Sequence, residues 1–464
     1  MQVLAAAIAV MPAAALGALP IALPRGVTPM RPDRTIEETV GIEAAAPANA
    51  WLNYYGGRVI ANVHVVPVMW GSHVPAQVSS QMGSFYAAVT DSPYYDFLAE
   101  YDADIKSYSG GNGAGMKVGR GTAGATVTLA PSITATSITD QQIGAELQAQ
   151  IKAGKLPAPD ANTLYMIHFP AGTTISMPDG NGGTAKSCQQ FCAYHSTIQH
   201  SPSNIAYGVI PNVTTDGCEL GCGPLAGGFN NTTSVASHEL VEATTDADVG
   251  LATDFAPPLG WYDPQGQDGE IGDICNGEEA AVTAHNQSWT VQKEWSNTHG
   301  ACVAGATPTD FAIVLNPGNQ NIAAGQSASY VVSSVATSGT PGSITLGASG
   351  LPAGMSGKFD KTQIAPGQSA TLTLSVDGSA SNGGTYFTIQ GAAGGAQRQS
   401  KAIATVSGGQ GGGGGGGGNC PPGTIDIGGV CVPTGCSSGG SGTAWIPVLL
   451  VSAAALRARR ARHA

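Results

Sequence analysis

Six cysteines between residues 188 and 302 restrict the folds open to this chain more than any other feature. Cys188 and Cys192 form one C-x-x-x-C pair, Cys218 and Cys222 form a second, and Cys275 and Cys302 follow. In an oxidising compartment an even set reads as a disulfide framework, here three bridges whose pairing the spacing leaves open. The two close pairs also have spacings that could hold zinc, but export makes bridges the expectation. Export is what the first residues suggest. Positions 1–24, MQVLAAAIAVMPAAALGALPIALP, are small and apolar like a secretory signal peptide, although no Lys or Arg precedes the apolar run.

A chain of 464 residues suggests two domains plus tails. Its 19 Lys and Arg against 31 Asp and Glu leave a net charge of -12, which argues against a nucleic-acid partner. Residues 25–50 are rich in Pro and Ala without periodicity and read as a linker or pro-segment. Residues 51–304 form the main domain. VIANVHVVPVMW (59–70) and NTLYMIHFP (162–170) read as buried strands. VSSQMGSFYAAVT (78–90) has helical periodicity. TDQQIGAELQAQIKAG (139–154) reads as a second helix, capped by Thr139 or Asp140 and ending at Gly154. Strands alternating with helices give an expected α/β or α+β core.

From 308 to 406 short alternating strands recur between Gly and Pro turns, as in a β-sandwich. Gly325-Gln326-Ser327, Gly350-Leu351-Pro352-Ala353-Gly354, Phe359 and Pro366-Gly367 give this segment a resemblance to the bacterial Ig-like modules that follow secreted hydrolases. Residues 407–435 read as a Gly-rich linker with a small loop closed by a Cys420–Cys431 bridge. Residues 436–464 hold Cys436, an apolar stretch from Ala444 to Leu456, and Arg457, Arg459, Arg460 and Arg462. This tail resembles the MYXO-CTERM sorting tag. The resemblance implies a processing enzyme as partner, anchoring at Cys436, and membrane contact through the tail only. The apolar stretch is short against the ~20 residues of a stable span.

Within the main domain, NYYGGRVIANVHVVPVMWGSHVPAQVSSQMGSFYAAVT, LYMIHFPAGTTIS, CQQFCAYHS, YGVIPNVTTDGCELGC, WYDPQGQDGEIGDICNG and VQKEWSNTHGACV together resemble the EXORDIUM, or phosphate-induced protein, family. The resemblance implies an exported or wall-associated protein and brings no settled reaction with it.

Chemistry must therefore come from the residues. In SVASHELVEATTDADVG (234–250), a helix capped by Thr233 or Ser234 would place His238, Glu239, Glu242 and Asp246 within an arc of roughly 100°. Ala236, Leu240 and Ala243 would pack inward. Like charges three and four residues apart disfavour such a face, and a bound cation would remove the penalty. H-E-x-x-E differs by one residue from the zincin H-E-x-x-H, in which positions i and i+4 bind zinc and the intervening Glu activates water. His238 and Glu242 are then candidate ligands and Glu239 the candidate base. Asp246 and Asp273 are candidates to complete the shell, with Asp248, Glu270 and His195 as alternatives. Asp263, Asp268, Glu270 and Asp273 could instead make an oxygen-rich calcium loop.

The leading expectation is an exported, envelope-tethered zinc-dependent hydrolase acting on protein or on a cell-envelope polymer. The rival is a non-catalytic surface or matrix protein, with calcium as its stabilising ion. A peptidase needs Glu239 beside an open position in a cleft. A structural protein would bury the cluster.

Overall fold

The computed structural model describes residues 25–30 and 50–409, except 180, 181, 216, 224–227 and 265–268, together with the backbone of Thr424–Ile427 and Val430–Pro433. The expectations for residues 1–24 and for Cys436 with its tail lie outside the described residues, and the Cys420–Cys431 bridge involves side chains that are not described. Among the described residues no helix is long and apolar enough to cross a membrane.

The main domain is built on a mixed sheet. Its strands are β1 (Val27–Pro29), β2 (Asn62–Met69), β3 (Gly119–Ala123), β4 (Val127–Thr128), β5 (Thr163–His168), β6 (Phe191–Ile198) and β7 (Ile205–Ile210), in the order β1-β6-β7-β5-β2-β3, with β4 also beside β2. β7, β5, β2 and β3 run parallel, while β6 is antiparallel to both β1 and β7. Strands buried on both faces must be apolar at consecutive positions, which is why 65–69 of β2 and 164–167 of β5 read as apolar runs. Alternate residues serve different cores. Val63, Val65, Leu164 and Met166 join the core that holds helices α1 (Ala76–Thr90) and α3 (Phe229–Thr245). Val66, Val68, Tyr165 and Ile167 join the core that holds α2 (Asp140–Lys152) on the opposite face. Thr139 caps α2 in a capping box with Gln142, and Gly154 follows its end at φ +68°.

Three disulfides form, Cys188–Cys218, Cys192–Cys222 and Cys275–Cys302. Each close pair is thus split between two bridges, which tie the start of β6 to the segment leading into α3. A hairpin of β8 (Glu279–Ala284) and β9 (Gln287–Gln292) packs on α3.

The chain as a whole is mostly β. Residues 310–407 supply two sheets. One has the order β10 (Asp310–Asn316), β12 (Ser327–Ser338), β16 (Ser369–Val376), β14 (Met355–Phe359). The other has the order β11 (Asn319–Ala323), β18 (Ala396–Ser407), β17 (Gly383–Ala393), β13 (Ile344–Ser349), β15 (Gln363–Ile364). Phe311, Tyr330 and Leu372 of the first share a core with Ile344, Phe387 and Ala402 of the second.

Two expectations change. The segment expected to be linker contributes β1, whose Val27 and Thr28 pair with Tyr194 and Ala193. Helix α3 begins at Phe229, one turn before the expected caps. Thr233 and Ser234 lie inside it, and the Thr233 hydroxyl donates back to the Asn230 carbonyl instead of capping.

Candidate metal centre

Helix α3 is buried on every side from Asn231 to Thr245 and presents no solvent face there. Such a helix lies in the interior, and its polar groups need partners there. Leu240 and Ala243 pack into the core as expected. His238, Glu239 and Glu242 face β1, β6 and the GEIGD segment, and each has no accessible surface. β6 brings His195, on the same sheet face as Ala193. The Cys192–Cys222 bridge fixes the strand three residues before it, and Cys275–Cys302 fixes the chain two residues after Asp273.

Two sets of three side chains converge: His238, Glu242 and Asp273, and His195, Glu242 and Glu270. In the first set, His238 Nε2 is 2.9 Å from Glu242 Oε1 and 3.5 Å from Asp273 Oδ1. These distances would suit hydrogen bonds, but the angles do not. Both nitrogens of His238, Oε2 of Glu242 and Oδ1 of Asp273 have no hydrogen-bond partner among the described residues. Donor sets around zinc at about 2.0–2.2 Å stand about 3.3–3.6 Å apart along a tetrahedral edge. Gly272 and Asp273 donate backbone N–H groups to Glu242 Oε1 at 3.2 and 3.1 Å. Gly272 is required there: a Cβ would lie 2.8 Å from His238 Nδ1 and 2.9 Å from Glu242 Oε1.

The other predicted residues are placed as follows. Glu239 accepts hydrogen bonds from the Thr28 hydroxyl on Oε1 and from His195 Nδ1 on Oε2, the latter at 3.3 Å. Asp246 is the C-cap residue of α3. Its Oδ1 accepts from the Gly260 N–H at 2.9 Å, its Oδ2 has no hydrogen-bond partner among the described residues, and it belongs to neither set. Asp248 pairs with Arg58 at 2.9 Å and accepts from Asn204, so it is engaged elsewhere. Asp263 accepts from the Trp51 N–H. Asp268 lies outside the described residues.

Sequence reasoning missed Thr28 and Glu294. Glu294 is buried and accepts from the Tyr94 hydroxyl at 2.9 Å. No local pattern marks either residue: Thr28 arrives by the pairing of β1 with β6, and Glu294 by the long-range hydrogen bond of the Trp295 N–H to the Ile271 carbonyl.

Burial raises the carboxyl pKa of Glu239, Glu270, Glu294, Asp246 and Asp273. Burial also acts to raise Glu242, but the His238 and His195 imidazoles bring it down to about 2. Burial should lower both imidazoles. The facing carboxylates outweigh it, Glu270 chiefly for His195 and Glu242 chiefly for His238, and raise both well above the ordinary value. Six carboxyl groups thus share one buried region with two imidazoles. Among the described residues none of the six forms an ion pair with a Lys or Arg. Without a cation, protons must balance the charge.

The cluster is enclosed. The cleft between the main domain and the two-sheet unit is lined by Trp51, Tyr108, Ile313, Lys401 and neighbours, and by none of the cluster residues.

No protein-family model matches the chain, and no curated protein matches it. Among solved structures it is similar to domains 4 and 5 of the S-layer protein SbsC, at 16% identity and a TM-score of 0.17, over 28% of this chain and 64% of that one. It is also similar to a FixG-related protein from Vibrio parahaemolyticus, at 14% identity and a TM-score of 0.17, over 22% of this chain and 99% of that one. The SrpA adhesin of Streptococcus sanguinis matches at 12% identity and a TM-score of 0.18, over 22% and 60%. The chain therefore spans less than two thirds of the S-layer fragment, and similarity at these TM-scores carries no argument.

Proposed function

We propose that this chain is an exported, surface-held, metal-dependent hydrolase of the EXORDIUM type, acting on polypeptide. One observation carries the reading. His238 Nε2 stands 2.9 Å from Glu242 Oε1 and 3.5 Å from Asp273 Oδ1 without aligning an imidazole N–H on either oxygen. A buried ion pair gains its stability from aligned, charge-assisted hydrogen bonds. Nitrogen and oxygen donors gathered this closely, without hydrogen bonds between them, are what a divalent cation can use. One imidazole and two carboxylates suit zinc and do not exclude calcium.

When bound, the cation would acidify water and polarise a carbonyl. The chain's own part follows from Glu239. Burial raises the pKa of this carboxyl above the ordinary carboxylate value and so makes it a stronger proton acceptor. The Thr28 hydroxyl and His195 Nδ1 hold both of its oxygens in place. The three disulfides support an oxidising compartment. We assign the two-sheet unit to the Ig-like class, as a spacer or binding module between the main domain and a sorting tail.

Burial of Glu239 favours a second reading, a non-catalytic surface protein in which the cation only braces the fold. The test is hydrolysis of an unfolded protein by the zinc-loaded full chain beside Glu239→Gln. Loss of hydrolysis by two or more orders of magnitude, with the His238-dependent cation retained, supports the hydrolase. No hydrolysis by either chain, with zinc bound, supports the bracing role.

A further inference from the structure

The second set of side chains, His195, Glu242 and Glu270, is not explained by one cation at His238. We infer that the centre holds two divalent cations bridged by the Glu242 carboxylate. This rests on the reading above for the first of them.

The tautomer of His195 carries the argument. Its Nδ1 makes an aligned hydrogen bond to Glu239 Oε2 at 3.3 Å. That fixes the proton on Nδ1 and leaves the lone pair of Nε2 pointing the other way. What it meets there is Glu270 Oε1 at 3.4 Å, and neither atom has a hydrogen-bond partner among the described residues. A lone pair facing a carboxylate is repulsive. An imidazolium would be attracted to Glu270, but its Nε2–H does not align on the oxygen, so the buried pair would lack the hydrogen bond that stabilises such a pair. A cation between them resolves both. A carboxylate on the far nitrogen of a metal-bound imidazole is the usual orienting arrangement, so Glu239 would position His195 as well as serve as proton acceptor.

Glu242 is shared between the sets. Its Oε1 faces His238, and its buried Oε2 has no hydrogen-bond partner among the described residues. His195, Glu242 and Glu270 are all at least nine-tenths buried, at 2%, 0% and 1% exposure. Paired cations about 3.5–4 Å apart are a common hydrolytic arrangement.

The full chain, equilibrated with zinc and freed of excess, is analysed by elemental mass spectrometry beside His195→Ala and His238→Ala. Two zinc ions per wild-type chain and one in each variant are expected. One ion per wild-type chain, lost in either variant, means a single shared ion and overturns the inference while leaving the proposed function standing. No bound zinc overturns both. Should a variant fail to fold, the manganese-loaded wild type decides by electron paramagnetic resonance. A spin-coupled pair is expected, and an isolated six-line signal overturns the inference.

Discussion

His168 ends β5 with its ring wholly buried. Its Nε2 faces the Tyr86 hydroxyl at 2.9 Å, and its Nδ1 has no hydrogen-bond partner among the described residues. Burial pushes its pKa from 6.5 down to about 3. Its folded pKa is therefore below its unfolded one. The stability this provides is complete above pH 6.5 and is lost as pH falls through the window down to about 3. At most about 1.4 kcal/mol per pH unit comes from this one proton. Urea midpoints measured across that window should fall more steeply for the wild type than for His168→Gln, which keeps a partner for Tyr86. Parallel slopes would show that His168 is not held neutral. At this scale the sequence showed which residue types could bind metal, and His195, His238, Glu242, Glu270 and Asp273 were all named from it. Their division into two sets was not legible, because the register of β6 against β7 and the close approach of Gly272 decide it.

At the level of elements, the i,i+4 spacing of His238 and Glu242 was readable because it is local to one helix. The burial of that helix was not, since β9, β6 and β1 cover it from distant parts of the chain. β1 matters most for access. It adds to the edge of β6, the Gly26 carbonyl accepts from the His195 N–H, and Thr28 reaches Glu239. A stretch so poor in periodicity gives no strand signal; its pairing is set by the open edge it covers. Removing residues 1–30 should therefore speed the removal of bound zinc by EDTA several-fold, with the fold retained by circular dichroism. An unchanged rate would mean that access runs by another route. The same pairing argument applies to the cysteines. Their number implied three bridges, but only the packing of β6 against the approach to α3 selects Cys188–Cys218 and Cys192–Cys222.

Across the whole molecule, the main domain and the two-sheet unit share a small core of Tyr55, Tyr108, Leu259, Tyr262 and Ile403. Asp310 fastens the junction. It is fully buried, with His299 Nε2 at 3.1 Å and Arg398 Nε at 2.6 Å, and these partners outweigh burial to hold its carboxyl well below the usual range. Removing one member of a buried charge pair costs about 3–5 kcal/mol. Asp310→Ala should lower stability by about 3 kcal/mol and split a single calorimetric transition into two; one unchanged transition would show that the units are joined by the apolar contacts alone. The central claim concerns the cluster beneath β1, and metal content tests it most directly. Elemental mass spectrometry of the purified full chain beside His238→Ala should find a divalent cation at one or more per wild-type chain, with at least one lost in the variant. No metal in either chain, with equal stability, would contradict the account and reduce SHELVEATTD to a buried acidic helix balanced by protons.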